Sequence, residues 1–166
     1  MQIIRDRRVC ESHWQHVPDG VLADNPDARL AGAIIVSLAD WRLHKIELAR
    51  RGVTIGVRLG AGDDIEESAD DLSAVALIAL EFASFSEGRA YTQARLLRDR
   101  HGYQGEIRAV GDVSRDRLAF MERCGINAFE LGGNGNLEAA LKAFAEISDF
   151  YQPAADRKPP IASYRS

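Results

Sequence analysis

The sequence predicts an α/β fold: about five mainly parallel strands alternating with helices, as an open sheet or a partial βα-barrel, with a short N-terminal hairpin ahead of them. Three observations predict it. Five short apolar runs recur, at 34–38, 54–59, 76–82, 106–111 and 128–131. They are continuous rather than alternating, the pattern of strands buried on both faces. Between them lie longer stretches with helical spacing, several closed by a glycine (Gly52, Gly102, Gly125). Consecutive parallel strands need a crossover, usually a helix, and that crossover is right-handed. Five units are too few for a closed eight-stranded barrel, so the open sheet and the partial barrel both stand.

In chain order, residues 2–17 read as the hairpin. Ile3, Ile4 and Val9 flank a charged turn at 5–8, with Trp14 and Val17 as a possible return. Pro18, Asp19-Gly20 and Pro26 make 18–33 a loop. After the first run a helix is expected over 40–50, with Trp41, Ile46 and Leu48 near helical spacing. After the second, an acidic helix is expected over 63–71. After the third, Ser84 and Glu87 form an S-x-x-E capping box for a helix reaching about His101, with Ala90, Ala94 and Leu97 as its buried stripe. A short helix over 114–124 packs through Leu118 and Met121. The last helix spans 137–150, with Asn136 as its N-cap and an apolar face that includes Phe144 and Ile147. Residues 1–151 are expected to form one domain, and the proline-bearing 152–166 a flexible tail.

Composition narrows the function classes. With 46% hydrophobic and 28% charged residues the chain is too apolar to be disordered. A net charge of −4 gives no general attraction to nucleic acid. No run approaches the length of a membrane span, and the N-terminus lacks the apolar core of a secretion signal, so a cytoplasmic location is expected. Cys10 and Cys124 stand far apart and form no CxxC, zinc or iron–sulfur pattern; Cys124 is expected to be a half-buried free thiol. His13 and His16 have the one spacing that suits a metal, in an extended segment, and no metal site is assigned.

Chemistry is expected at the carboxyl edge of the sheet, the ligand side of either architecture. Arg58, Glu81, Arg108, Asp112 and Glu130 fall near that edge. A charge in a buried strand is costly unless paired, so Arg58, Glu81 and Arg108 are expected to meet partners. They form either an anion-binding or proton-transfer site or a structural ion-pair network. A second candidate is the segment after the third run: Ser84, Ser86 and Glu87 at a helix start, with Arg89 and Tyr91 beside them, where free N–H groups can hold an anion. Its plain alternative is a capping box with core aromatics. The glycine-rich 132–136 matches no nucleotide-binding fingerprint and reads as a turn. Seven acids and no bases over 63–81 read as a solvated face or a docking surface for a basic partner.

The segments 85–98 (FSEGRAYTQARLLR), 108–113 (RAVGDV), 123–125 (RCG) and 128–131 (AFEL) carry a family resemblance. The chain resembles, over about residues 30–150, a bacterial family of unknown function. That family is encoded beside assimilatory sulfite reductase and phosphoadenylyl-sulfate reductase genes, and its members are often labelled oxidoreductases involved in sulfite reduction. The resemblance implies a place in sulfate assimilation and cysteine biosynthesis, supporting sulfite reduction. The implied role is an accessory or adaptor that binds sulfite reductase or its electron donor. The alternative is a small-anion-binding or redox enzyme at the carboxyl edge of the sheet. The residues themselves identify no cofactor, no catalytic group and no oligomeric state, and whether the chain is an enzyme stays open on this reading.

Overall fold

The structure, a computed structural model, describes residues 1–24, 30–83, 88–133 and 136–145. The chain begins with β1 (Gln2–Arg5) and β2 (Arg8–Glu11), paired antiparallel with Arg5 opposite Arg8. The connecting Asp6 and Arg7 have φ of 49° and 60°. Two positive φ values make a primed turn, whose twist matches that of the flanking strands. Arg7 is held there by a bidentate pair to Glu122, at 2.8 and 2.7 Å. The return expected at Trp14 and Val17 does not pair with this hairpin. Trp14–His16 is β3, and it runs parallel to the next strand at the opposite edge of the sheet, because that pairing lays the Trp14 ring over Gly56.

Strand–helix units follow. The expected loop holds a short helix, α1 (Val21–Asp24), ahead of β4 (Ala33–Ser37). The unit continues as α2 (Leu38–Arg50), β5 (Thr54–Leu59), α3 (Ile65–Leu72) and β6 (Leu77–Phe82). Ser37 caps α2 by accepting from Asp40 N at 3.1 Å, and Asp64 caps α3 by accepting from Glu66 N at 2.8 Å. Then come α4 (Arg89–Arg95), which widens into a π-turn (Leu96–Arg100), and β7 (Glu106–Gly111). A 3-10 turn (Arg115–Arg117) opens α5 (Leu118–Arg123), before β8 (Ala128–Phe129) and α6 (Leu137–Leu141). Asn136 caps α6 by accepting from Ala139 N at 3.0 Å. Ala90, Ala94 and Leu97 are buried as the stripe required. The expected capping box at Ser84 and Glu87, the end of the last helix with Ile147, and the tail 152–166 lie outside the described residues.

Among the described residues one sheet holds eight strands, in the order β2-β1-β8-β7-β6-β5-β4-β3. It exceeds the five apolar runs because the hairpin and β3 join its two edges. From β3 to β8 every neighbour is parallel and consecutive. Right-handed crossovers between consecutive neighbours place their helices on one face. The sheet also has to curl. Seven strand spacings would set the edges of a flat sheet about 34 Å apart. Yet β2 and β3, the two edge strands, are joined by Ser12 and His13 alone, a link that reaches roughly 11 Å. The result is an open, curled sheet with its helices outside.

Side-chain alternation divides the core accordingly. Val57, Leu59, Ile78, Leu80, Ile107 and Ala109 face the helices and pack with Leu38, Leu72, Leu97, Leu118 and Met121. Ile35, Leu77, Ala79 and Val110 point to the inner face, under Trp14. Cys124 is buried among the helices and forms no disulfide. One helix position differs from expectation: Ile46 is 68% exposed, beside Leu43 at 76%. The inward face of α2 is carried by Leu38, Trp41 and Leu48 instead, and Ile46 lies five residues from Trp41, on the far side of the helix. Among the described residues no helix is long and apolar enough to cross a membrane.

Candidate functional site

The inner face of the curl collects charge, with Arg58 and Glu81 toward the carboxyl ends of β5 and β6, and Arg108 and Glu106 in the first half of β7. One row across the sheet reads Ser37, Arg58, Ala79, Arg108, Ala128. Alternation turns all five inward with Leu77 and Val110. Ala79 separates the two arginines by two strand spacings, about 10 Å. They therefore head two separate clusters.

The first cluster is open to solvent. Arg58 Nη2 donates to Asp19, which arrives on the loop after β3. Its Nε lies 3.6 Å from Glu81 Oε2 on the neighbouring strand. The second cluster is built around a buried cation. Arg108 has no exposed surface. Its Nε donates to Glu106 Oε1 at 2.7 Å, and Nη1 donates to Glu130 Oε1 at 2.8 Å and to Ser12 Oγ at 2.9 Å. Glu106 sits two residues back on the same strand and so on the same face. Glu130 follows β8, held in place by its N–H on Ala109 O. Ser12 comes from the link that joins the two edge strands.

Glu130 also meets His16, whose Nε2 lies 3.0 and 3.2 Å from its two oxygens. This contact spans from the end of β3 to the end of β8, across the open side of the curl. Burial raises the Glu130 pKa, but hydrogen bonds from His16 and Arg108 outweigh it and hold the carboxyl below its ordinary value. Beside Glu130 a cleft of about 500 Å³ opens between the hairpin and α6, lined by Gln2, Val9, Leu131 and Leu137. Chemically the second cluster is a carboxylate–imidazole pair anchored by a guanidinium, a set able to accept and donate a proton. Among the described residues no group of three His, Cys, Asp or Glu side chains is placed to hold a metal ion.

A profile of bacterial proteins of unknown function, DUF934, matches residues 56–162. The chain belongs to the DUF934 family. The DUF934 segment contains Arg58, Glu81, Glu106, Arg108 and Glu130. Their partners Ser12, His16 and Asp19 come from the N-terminal residues outside it. No curated protein matches the chain.

The expected site residues divide in four. Arg58, Glu81 and Arg108 line the inner face and have the partners expected of them. Asp112 and Tyr91 do not join them. The Asp112 carboxylate pairs with Arg117 at 3.1 Å, and its N–H bonds Phe82 O at 2.7 Å. Tyr91 belongs to an aromatic ladder outside the sheet, 5.1 Å from Phe82 and 5.0 Å from Phe120. Burial raises its pKa against the pull of Arg117. Arg89 is exposed at the start of α4. Ser84, Ser86 and Glu87 lie outside the described residues. Sequence reasoning had weighed His16 only as a metal ligand and passed over Ser12, Asp19 and Glu106. The i, i+2 spacing of Glu106 and Arg108 was the available signal for one of these pairs.

Proposed function

We propose that this DUF934 protein supports sulfite reduction in sulfate assimilation as an accessory or adaptor of sulfite reductase. The observation that carries this reading is the pairing of the inner face. Arg58 is matched by Asp19 and Glu81, and Arg108 by Glu106 and Glu130. An arginine committed to two carboxylates is poorly suited to receive an anion such as sulfite, since the anion must displace one of them. The inner face thus resembles a neutralised scaffold more than a cationic receptor. The resemblance over about residues 30–150, most specific at 82–131, to proteins encoded beside sulfite reductase supplies the biological setting. Affinity-tagged full-length protein should co-purify with sulfite reductase from cells growing on sulfate. It should also raise sulfide production by the purified reductase. Failure of both would contradict the adaptor role.

A second reading, proton transfer at the carboxyl mouth by a small-molecule enzyme, has one observation of its own: the His16–Glu130–Arg108 relay. With its proton on Nε2, His16 donates to Glu130, and Nδ1 keeps a lone pair that can take a proton from a substrate. On this reading His16→Gln and Glu130→Gln fold normally and fail to restore growth on sulfate to a deletion strain. Full restoration by both would remove the reading.

A further inference from the structure

A second cleft lies at the opposite, amino-terminal ends of β6 and β7, remote from the carboxyl mouth. It has a volume of about 380 Å³, at the small end of the range for ligand sites. Ala69 and Leu72 of α3, Val75, and Leu97 of the π-turn form its apolar walls. The far wall is His101 and Tyr103, and local backbone geometry puts them there. The π-turn closes with His101 N on Leu96 O at 3.1 Å, and Tyr103 N bonds Leu97 O at 2.9 Å. Such widened turns are frequent at functional sites. Arg98 then ties the wall down by donating to Tyr103 O at 2.5 Å and Gly105 O at 2.9 Å.

Among the residues lining the cleft, one buried side-chain polar atom has no hydrogen-bond partner. The Tyr103 hydroxyl donates to Val75 O at 3.0 Å. His101 Nε2, by contrast, is shielded from solvent and has no hydrogen-bond partner. A buried nitrogen left unmatched is costly, and a ligand that matches it recovers that cost. Glu66 Oε1 lies 3.9 Å from His101 Nε2, itself paired with Arg100 at 2.9 Å. A carboxylate at that distance favours the proton on Nε2, so the ligand has to offer an acceptor. The same carboxylate disfavours an anionic one.

We propose that this cleft binds a small, uncharged aromatic molecule bearing a carbonyl or hydroxyl oxygen, with its ring against Leu72, Val75 and Leu97 and its oxygen on His101 Nε2. The site is independent of the role in sulfite reduction.

The probe is 4-hydroxyacetophenone, titrated into the full-length protein and followed by amide NMR shifts. Saturable shifts are expected at residue 69 and across 101–105. Ala69→Trp fills the cleft and should abolish them. His101→Phe should weaken the probe by about fivefold, the loss of one hydrogen bond, while toluene binds no more weakly than before. Benzoate should bind less tightly than the ketone. Absence of saturable shifts in the wild-type protein, or shifts centred on the carboxyl mouth, would overturn the assignment even if Ala69→Trp fails to fold. So would equal binding of ketone and benzoate.

Discussion

A guanidinium without solvent exposure has to find its counter-charges inside the fold, and Arg108 finds two, Glu106 and Glu130. Arg108→Ala would strip both carboxylates of their buried cation, leaving Glu106 only the half-exposed Arg5 at 3.5 Å and Glu130 only His16 at 3.0 Å. A loss of about 3–5 kcal/mol of stability is expected, read from urea unfolding. The pH dependence follows from Glu130. Its folded pKa is depressed, so its contribution is present above the ordinary glutamate value and is lost as pH falls through the lower, folded value. Wild-type stability should therefore drop on acidification through that window, and Glu130→Gln should flatten the drop. An unchanged acid limb in the variant would contradict the assigned network. At this scale the sequence was legible where chemistry is local. A charge in an apolar strand needs a partner, and Arg58 found Glu81 on the next strand. His16 and Ser12 were hidden because they reach Arg108 and Glu130 only through closure of the curl, over a separation of about a hundred residues.

Elements were legible wherever a periodic stripe met a cap. Strand β5 appears with the bounds read from its apolar run, 54–59, and Asn136 caps as expected. Helix α2 differs from the sequence reading at Ile46, where apolar identity suggested burial but the spacing from Trp41 puts the residue on the far side. Ile46→Lys should accordingly change stability by no more than about 0.5 kcal/mol, as an exposed substitution does. A larger loss would show that Ile46 is covered in solution. The end of β7 behaves oppositely. Gly111 has a φ of 87°, and a Cβ there would stand 2.6 Å from Phe82 O. That carbonyl receives the N–H of Asp112, so it is not free to retreat. Gly111→Ala combines a left-handed conformation with a backbone clash and should cost about 2–4 kcal/mol, measured by thermal or urea unfolding.

At the scale of the molecule, alternation of runs and helices was enough to predict the α/β class, with the open sheet and the partial barrel both standing. The curl was not legible, because it depends on where β3 goes, and three residues carry too little pattern to say. Once β3 pairs with β4, the two-residue link at Ser12 and His13 forces the edges together, and His16 can reach Glu130. Native-state hydrogen exchange should rank the strands accordingly: β5, β6 and β7 last to open, the edge strands β2 and β3 first. If adaptor function is the reason for this architecture, its loss should appear in the cell as a block at one step. Deletion of the gene should prevent growth of the host on sulfate or sulfite as the sole sulfur source, with growth restored by sulfide or cysteine. Unimpaired growth of the deletion strain on sulfite would contradict a role in sulfite reduction.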